Sequence, residues 1–295
     1  MKLALVSAIP AIGLDEDLPP LVAACMAAGI ATEILAWDDP TVSWARFDAV
    51  LLRSPWDYTD RLPEFLGWCA RVSGQTRLLN PLEVVRGNTD KHYLAELERA
   101  GVPIVPSAFA EPGDDAARAL DGFLAAYPQA REFVVKPAVG AGSRDAQRYA
   151  RGQRDAALPH IERLLFGQRS VLLQPYLPSV DEAGETALIH FDGEFSHAIR
   201  KGPLLRLDEG PTRALFAAEH ITARDPGEDE RAVARAALEA LPYGPLTYAR
   251  VDLIRDLDGA PRLLELELTE PSLFFLYDEA AAARFAAVLV HRLNL

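Results

Sequence analysis

Four charged residues near the carboxyl end of the chain have the types and spacing of a metal site. In the stretch TYARVDLIRDLDGAPRLLELELTEPS, two apolar-rich runs flank Asp258-Gly259, a dipeptide suited to the positive φ angles of a tight hairpin turn. If those two residues form the whole loop, Asp252 lies directly opposite Glu265. The same register sets Arg250 opposite Glu267. Side-chain alternation then places all four charges on one face of the hairpin.

This acidic face predicts the binding of a divalent cation. Neighbouring carboxylates repel one another and hold their protons more tightly, so three of them beside one arginine favour a metal ion between them. A solvated face on a surface hairpin is the alternative. The opposite face is predicted to pack in the core and carries Val251, Leu253, Leu264 and Leu266.

A polar and aromatic cluster follows the strongly apolar stretch Phe47–Leu52, which we predict to be a buried strand. Side chains just beyond the end of such a strand suit the recognition of a small zwitterion. A loop with a core-packing tryptophan is an equally good interpretation. The residues concerned are Arg53, Ser54, Trp56 and Asp57.

A lysine and a small-residue loop stand together at the end of another predicted strand. Lys136 closes the run Glu132–Lys136, and the loop that follows contains Gly140, Gly142 and Ser143. The backbone N–H groups of such a loop can approach phosphates closely. It is not a Walker loop, because the lysine precedes the glycines.

A second lysine, Lys91, lies in the first turn of a helix that we predict to open at Asn88 and to run to Arg99. The helix dipole disfavours a cation at that end. The lysine therefore has an anion to reach, or it is simply solvated.

Two further stretches have the character of ligand contacts. The buried strand Ser170–Gln174 runs into a proline-bounded turn with Tyr176 and Leu177, which either reads the edge of an adenine base or is an ordinary linker. Asp192-Gly193 marks a second hairpin. Its two-residue register sets Glu185 opposite Arg200, so that Arg200 and Lys201 leave the strand end as two cations.

The elements that position these residues begin with a β–α–β rhythm. Strand-like Lys2–Ser7, helix-like Leu18–Ala28 and strand-like Ile30–Ala36 precede the apolar stretch described above. This order predicts an open α/β sheet whose strand carboxyl ends form a ligand crevice. The hairpins later in the chain predict antiparallel sheet, so the fold class is α/β followed by α+β.

Composition narrows the classes of function. The 295 residues carry a net charge of −13, which argues against nucleic acid as the main partner. No apolar run approaches membrane-spanning length. Cys25 and Cys69 form no metal or redox spacing, which fits a reducing cytoplasm. None of the six histidines has a ligand or triad spacing.

The order of these motifs resembles the ATP-grasp superfamily of carboxylate–amine ligases, and the resemblance covers essentially the whole chain. It implies three domains: residues 1–87 as an α/β domain, 88–172 as a central lid, and 173–295 as the catalytic domain. It also implies ATP as cosubstrate, two Mg²⁺ ions with Mn²⁺ as an alternative, and a homodimer as a common assembly.

The resemblance implies roles for individual residues. The phosphates would contact Lys91, Lys136, Gly140, Gly142 and Ser143. The adenosine would contact Gln174, Tyr176 and Leu177, with Asp181 or Glu185 on the ribose. The metal ligands would be Asp252, Glu265 and Glu267. The transferred phosphoryl group would contact Arg200, Lys201 and Arg250. An amino-acid substrate would contact Arg53, Ser54, Trp56, Asp57, Glu270 and Ser272.

One position departs from the superfamily pattern, because Glu265-Leu-Glu267 stands where Glu-x-Asn is usual. Glutamate is still an oxygen ligand for Mg²⁺, so the site keeps its chemistry with more negative charge.

Within the superfamily the chain looks most like the cyclo-ligases of D-cycloserine biosynthesis. The similar stretches are LRSPWDY at Leu52–Tyr58, TDKHY at Thr89–Tyr93, and LELEL at Leu264–Leu268 with Glu270 and Ser272. This similarity implies ATP-dependent ring closure of O-ureido-D-serine. The alternatives are an intermolecular amide ligase, a kinase on the same scaffold, and a nucleotide-binding module without turnover.

Overall fold

Three β-sheets follow one another along the chain in the computed structural model, which describes residues 1–211 and 220–295. The first sheet is parallel, in the order β2-β1-β3-β4, and confirms the predicted β–α–β rhythm. Its elements are β1 (Lys2–Ser7), α1 (Leu18–Ala27), β2 (Ala31–Ala36), β3 (Ala49–Ser54), α2 (Leu62–Ser73), β4 (Arg77–Leu79) and α3 (Leu82–Asn88). Every residue of β3 is buried, as expected for a parallel strand that is covered on both faces.

The second sheet is antiparallel, in the order β5-β8-β6-β7, with two helices packed on it. Its elements are α4 (Tyr93–Arg99), β5 (Ala108–Ala110), α5 (Ala116–Ala126), β6 (Glu132–Pro137), β7 (Gln147–Ala150), α6 (Arg154–Phe166) and β8 (Val171–Pro175). Because β6 and β7 pair directly, the glycine-rich loop is the turn of a hairpin. The helix predicted to open at Asn88 is wrong at its start, since α4 begins at Tyr93 after a break.

The third sheet is antiparallel, in the order β11-β10-β9-β12-β13. Its elements are α7 (Ser179–Ala183), β9 (Glu185–Phe191), β10 (Glu194–Lys201), β11 (Ile221–Arg224), α8 (Glu228–Glu239), β12 (Tyr248–Arg255), β13 (Pro261–Glu267) and α9 (Ala281–Asn294). One core joins this sheet to the first, because α9 packs against α1 and both strand sets. No helix among the described residues is long and apolar enough to cross a membrane.

The acidic hairpin has the predicted register at its charged end but not at its turn. Asp252 pairs with Glu265 and Arg250 with Glu267, as predicted. The predicted two-residue turn is wrong, because the strands end at Arg255 and Pro261. A β-bulge beside Asp252 restores the register.

The bulge also changes which leucine packs in the core. Leu263 is fully buried and contacts the core beside Leu253 and Leu266, whereas the predicted Leu264 lines a cavity. The face assignment of Leu264 is therefore wrong.

The second hairpin shows the opposite error. Its turn is as predicted, with Phe191 opposite Glu194, but a bulge between Phe195 and His197 shifts the rest of the strand by one residue. Lys201, rather than Arg200, therefore lies opposite Glu185. The predicted register is wrong along most of this hairpin.

Candidate active site

A single cavity of about 560 Å³ collects most of the residues that the sequence singled out. It is bordered by the glycine-rich hairpin of the second sheet, the acidic hairpin of the third and the loops after β1 and β3. The predicted residues on its wall are Trp56, Lys91, Lys136, Gly140, Gly142, Ser143, Gln174, Tyr176, Leu177, Glu185, Lys201, Arg250, Glu265, Glu267, Glu270 and Ser272.

Acidic and basic side chains alternate on the wall formed by the third sheet. Lys201 Nζ lies 2.6 Å from Asp252 Oδ2 and 3.1 Å from Glu185 Oε2. The Arg250 guanidinium donates to Asp252 at 2.9 Å and contacts Glu267. These residues face one another because β10, β9, β12 and β13 are neighbours in the sheet.

Lys91 adds a cation to this wall from outside the third sheet. Its Nζ lies 3.0 Å from Glu265 Oε1 and donates to the Gly140 carbonyl at 2.7 Å. Lys91 therefore links the acidic hairpin to the glycine-rich loop.

The carboxyl pKa values of this cluster differ because their cationic neighbours differ. Burial would raise the pKa of Asp252, but Arg250 and Lys201 outweigh it and lower the pKa to about 2. Burial raises the pKa of Glu267 to about 8, because Asp252 and Glu265 add repulsion that Arg250 does not cancel. Glu267 is therefore the carboxyl that holds a proton most tightly.

The loop end of the cavity has the features of a phosphate site. Gly142 and Ser143 have φ angles of 60° and 59° and form a tight turn in which the Arg144 N–H donates to the Ala141 carbonyl at 3.1 Å. Turns of this kind can form concave anion-binding sites. The Lys136 ammonium makes no ion pair or hydrogen bond within residues 1–211 and 220–295, and burial lowers its pKa. A half-buried ammonium that has no ion-pair partner on a cavity wall favours the binding of an anion.

The opposite end is more apolar and suits a flat heterocycle. Val134, Leu177, Val180 and Ile254 belong to one buried cluster that borders the cavity. The Tyr176 hydroxyl donates to Asp181 Oδ1 at 2.6 Å, and the Arg148 guanidinium lies 3.6 Å above the Tyr176 ring. These contacts fix the tyrosine in the cavity wall.

A third part of the wall combines the loop after β3 with the segment after β13. Trp56 Nε1 donates to the Glu270 carbonyl at 3.2 Å. The Tyr58 hydroxyl donates to Glu270 Oε1 at 2.7 Å. Burial raises the pKa of Glu270 to about 7. Ser272 borders the same region.

Three predicted substrate residues lie behind the cavity wall rather than on it. Arg53 is 0% exposed and donates to the Pro271 carbonyl at 3.0 Å. Ser54 donates to the Ser7 hydroxyl at 2.9 Å. Asp57 accepts from Trp37 Nε1 at 2.8 Å and contacts Arg61. The structure does not bring these three to the cavity surface.

Three other predicted residues also lie off the wall. Asp252 is only 1% exposed and is linked to the cavity wall by its ion pairs with Lys201 and Arg250. Asp181 pairs with Arg148 outside the cavity. Because of the bulge in β10, Arg200 faces away and donates to the carbonyls of Glu182 and Ala183.

Asp17 and Asn88 support the site, and sequence reasoning missed both. Asp17 accepts the backbone N–H groups of residues 273–275 at 2.5, 3.1 and 2.9 Å. Asn88 donates to the Leu266 carbonyl and accepts the Leu268 N–H, both at 2.7 Å. An aspartate before α1 is typical of a helix cap, so neither its type nor its position indicated the long-range role.

A ready-made metal cluster is absent from the described part of the chain: no three acidic, histidine or cysteine side chains are placed together as ligands. The donor set still fits Mg²⁺, since Asp252, Glu265 and Glu267 offer hard oxygen ligands on two adjacent strands. Each of these carboxylates is paired with a lysine or arginine instead.

The fold and this cavity define the class of protein as ATP-grasp. The ATP-grasp ligase PsnB has the same fold, with a TM-score of 0.65 at 19% identity over 98% of both chains. The resemblance noted in the sequence is thereby confirmed at the level of the fold.

Closer relatives identify the family. The cycloserine biosynthesis protein DcsG of Streptomyces lavendulae is 49% identical over 297 residues, which cover 99% of each chain. The crystal structure of D-cycloserine synthetase DcsG matches with a TM-score of 0.93 at 48% identity, covering 99% of this chain and 100% of that one. A family model described as the N-terminal domain of D-cycloserine synthetase DcsG matches residues 3–80. The chain belongs to the DcsG family.

Proposed function

We propose that this protein is an ATP- and Mg²⁺-dependent carbon–nitrogen ligase that closes the ring of O-ureido-D-serine to give D-cycloserine. The names of its relatives support the product, and the cavity supports the type of reaction. The observation that carries the proposal is the alternation of three cations with three carboxylates, of which Glu265 and Glu267 lie on the cavity wall and Asp252 lies just behind it.

This wall matches the charges of the reactants. ATP carries about four negative charges and the substrate carboxylate one more, so the two reacting groups repel each other. Lys91, Lys136, Lys201 and Arg250 offer cations to the phosphates and the carboxylate. Two Mg²⁺ ions, or Mn²⁺, would be held by Asp252, Glu265 and Glu267 and would neutralise the transferred phosphoryl group.

The reaction proceeds in two bond-forming steps. A substrate carboxylate oxygen attacks the γ-phosphorus and ADP leaves, which gives an acyl phosphate. The nitrogen bonded to the side-chain oxygen then attacks the acyl carbon, forms the five-membered ring and expels inorganic phosphate. Water removes the remaining carbamoyl group as carbamate. No nucleophilic side chain is required, so positioning and electrostatics supply the catalysis.

The remaining walls provide specificity. Gln174, Tyr176 and Leu177 hold the adenine, with Glu185 better placed than Asp181 for the ribose. Trp56, Glu270 and Ser272 border the amino-acid end of the cavity.

Three broader expectations accompany this proposal. The sheets suggest that the central domain ends after β8 at Pro175, because the expected limit at residue 172 falls within that strand. We expect the reaction to take place in the cytoplasm, where ATP and Mg²⁺ are available. A homodimer stays a prediction that sedimentation would test.

A coupled ADP-release assay tests the proposal when mass spectrometry identifies the products. ADP formed together with D-cycloserine from O-ureido-D-serine is the expected result. A linear amide would point to intermolecular ligation, and a stable phosphorylated substrate would point to a kinase. Nucleotide binding without ADP formation in the presence of any amino acid would indicate a nucleotide-binding module without turnover.

A further inference from the structure

Asp15 is a buried carboxylate on the cavity wall with an unused oxygen. It lies in the loop after β1, is 5% exposed and borders the cavity beside Tyr58 and Glu270. Its Oδ1 accepts the Asp17 N–H at 3.0 Å, which fixes the side chain. Its Oδ2 makes no hydrogen bond among the described residues, and burial raises the pKa of the carboxyl although Arg53 and the Ser54 hydroxyl oppose the rise. A buried acceptor of this kind needs a donor, and a charged one most of all.

The two neighbouring acids do not share this property. Asp17 is fully engaged with the backbone of residues 273–275 and with Arg53, whose Nη2 lies 3.5 Å from it. Glu16 is exposed to solvent. Asp15 is thus the member of the trio whose carboxylate is buried and has an oxygen without a hydrogen-bond partner.

Other carboxylates near the amino-acid end of the cavity are less suited to a cation. Asp57 is held by Trp37 and Arg61 behind the wall. Glu270 accepts the Tyr58 hydroxyl, and its raised pKa keeps it partly protonated near neutral pH. One free oxygen at Asp15 is also too few ligands for Mg²⁺, whereas it suits an ammonium group that brings its own three donors.

We propose that Asp15 binds the α-ammonium group of the amino-acid substrate and so makes the enzyme prefer substrates that carry a free amine. This inference rests on the proposed function, because it assumes an amino-acid substrate. Arg53 acts behind Asp15 as a positioning residue: it ties Asp17 and the Pro271 carbonyl together, and its charge opposes the rise that burial imposes on the Asp15 pKa. Anchoring the ammonium there leaves the substrate carboxylate free to face Arg250 and the phosphates.

The test compares two substrates on Asp15→Asn, with Asp258→Asn, at an exposed aspartate away from the cavity, as the matched control. The substrates are O-ureido-D-serine and its deamino analogue, 3-(ureidooxy)propionate. Asp15→Asn is expected to lower kcat/KM for the amino substrate by about 100-fold and for the deamino analogue by less than threefold, with the KM for ATP unchanged, because only a charged contact to the ammonium is lost. Asp258→Asn is expected to match the wild type on both substrates.

Equal losses on both substrates, or no loss on either, would overturn the assignment, since a structural role does not distinguish an ammonium from a hydrogen. Binding of a non-hydrolysable ATP analogue by calorimetry confirms that the variant is folded. If Asp15→Asn fails that check, Asp15→Ser replaces it, since serine keeps a short acceptor for the Asp17 N–H. Absence of ADP release by the wild-type protein with O-ureido-D-serine would instead refute the proposed function.

Discussion

Withdrawal of Mg²⁺ is expected to weaken nucleotide binding by about 100-fold, because the cations that would hold the phosphates are paired with the metal-binding carboxylates. Lys201 is paired with Asp252 and Lys91 with Glu265. A nucleotide that binds without Mg²⁺ must break these ion pairs to reach the lysines. Asp252 and Glu265 then remain unpaired next to the negatively charged phosphates. When the nucleotide binds together with Mg²⁺, the lysines pair with the phosphates and the carboxylates bind the metal ion.

The size of this coupling follows from burial. Breaking a buried ion pair by removing one partner costs about 3–5 kcal/mol. The Lys201–Asp252 pair falls in this range, with side chains 8% and 2% exposed, whereas Glu265 is 24% exposed and its pair is weaker. A net coupling of about 3 kcal/mol corresponds to roughly two orders of magnitude in affinity, and by linkage the nucleotide strengthens Mg²⁺ binding equally.

Calorimetry with a non-hydrolysable ATP analogue, in Mg²⁺ and in EDTA, measures the coupling directly. Glu265→Gln should act in opposite directions: weaker binding in Mg²⁺, where a ligand is lost, and tighter binding in EDTA, where Lys91 is released. Glu194→Gln, an exposed glutamate on β10, is the control and should change neither affinity. Affinities within threefold of each other in Mg²⁺ and EDTA would refute the ion-pair exchange.

Three further predictions address other parts of the structure. Trp56→Ala should raise the KM for the amino-acid substrate about tenfold and leave that for ATP unchanged, because Trp56 lies beside Glu270 on the cavity wall; equal changes would remove it from the substrate pocket. Since the pKa of Glu267 is raised to about 8, Mg²⁺ binding at pH 7 should release close to one proton, falling to none above about pH 9. Calorimetry in buffers of different ionisation enthalpy counts these protons, and no buffer dependence at pH 7 would contradict the shift. Gly184→Ala should lower the free energy of unfolding by about 2 kcal/mol or more in urea denaturation, because its φ is +73° and a Cβ would lie 2.3 Å from the Lys201 carbonyl oxygen. Gly193→Ala, at φ +84° with open space around it, should lose about 1 kcal/mol, so equal losses would count against the clash.

The acidic face of the hairpin was predicted correctly, although the two-residue turn from which its register was derived was wrong. The loop of the acidic hairpin is longer than its Asp-Gly dipeptide suggests, and the bulge beside Asp252 offsets the difference. In the second hairpin the turn was right, and the bulge near Ser196 placed Lys201 on the cavity face instead of Arg200. A bulge shifts the pairing register of every later residue by one. Neither hairpin sequence contains a glycine or proline at the bulge that would indicate its position.

Burial depth limited the prediction of the substrate pocket. The stretch from Arg53 to Asp57 was correctly placed near the cavity, yet only Trp56 reaches its surface. Arg53 and Asp57 instead satisfy partners that are distant in sequence: Pro271 for the arginine and Trp37 for the aspartate. A strand-end motif shows which side chains lie near a crevice, but packing decides which of them a ligand touches.

The most direct test of the proposed reaction is the fate of an ¹⁸O label in the substrate carboxylate. If ATP activates this carboxylate as an acyl phosphate, one labelled oxygen must appear in the inorganic phosphate when the ring closes. Phosphorus NMR or mass spectrometry of the phosphate from O-ureido-D-serine with ¹⁸O in both carboxylate oxygens should therefore show one ¹⁸O per D-cycloserine formed. Unlabelled phosphate with normal product formation would contradict carboxylate activation, and with it the role assigned to the charged wall of the cavity.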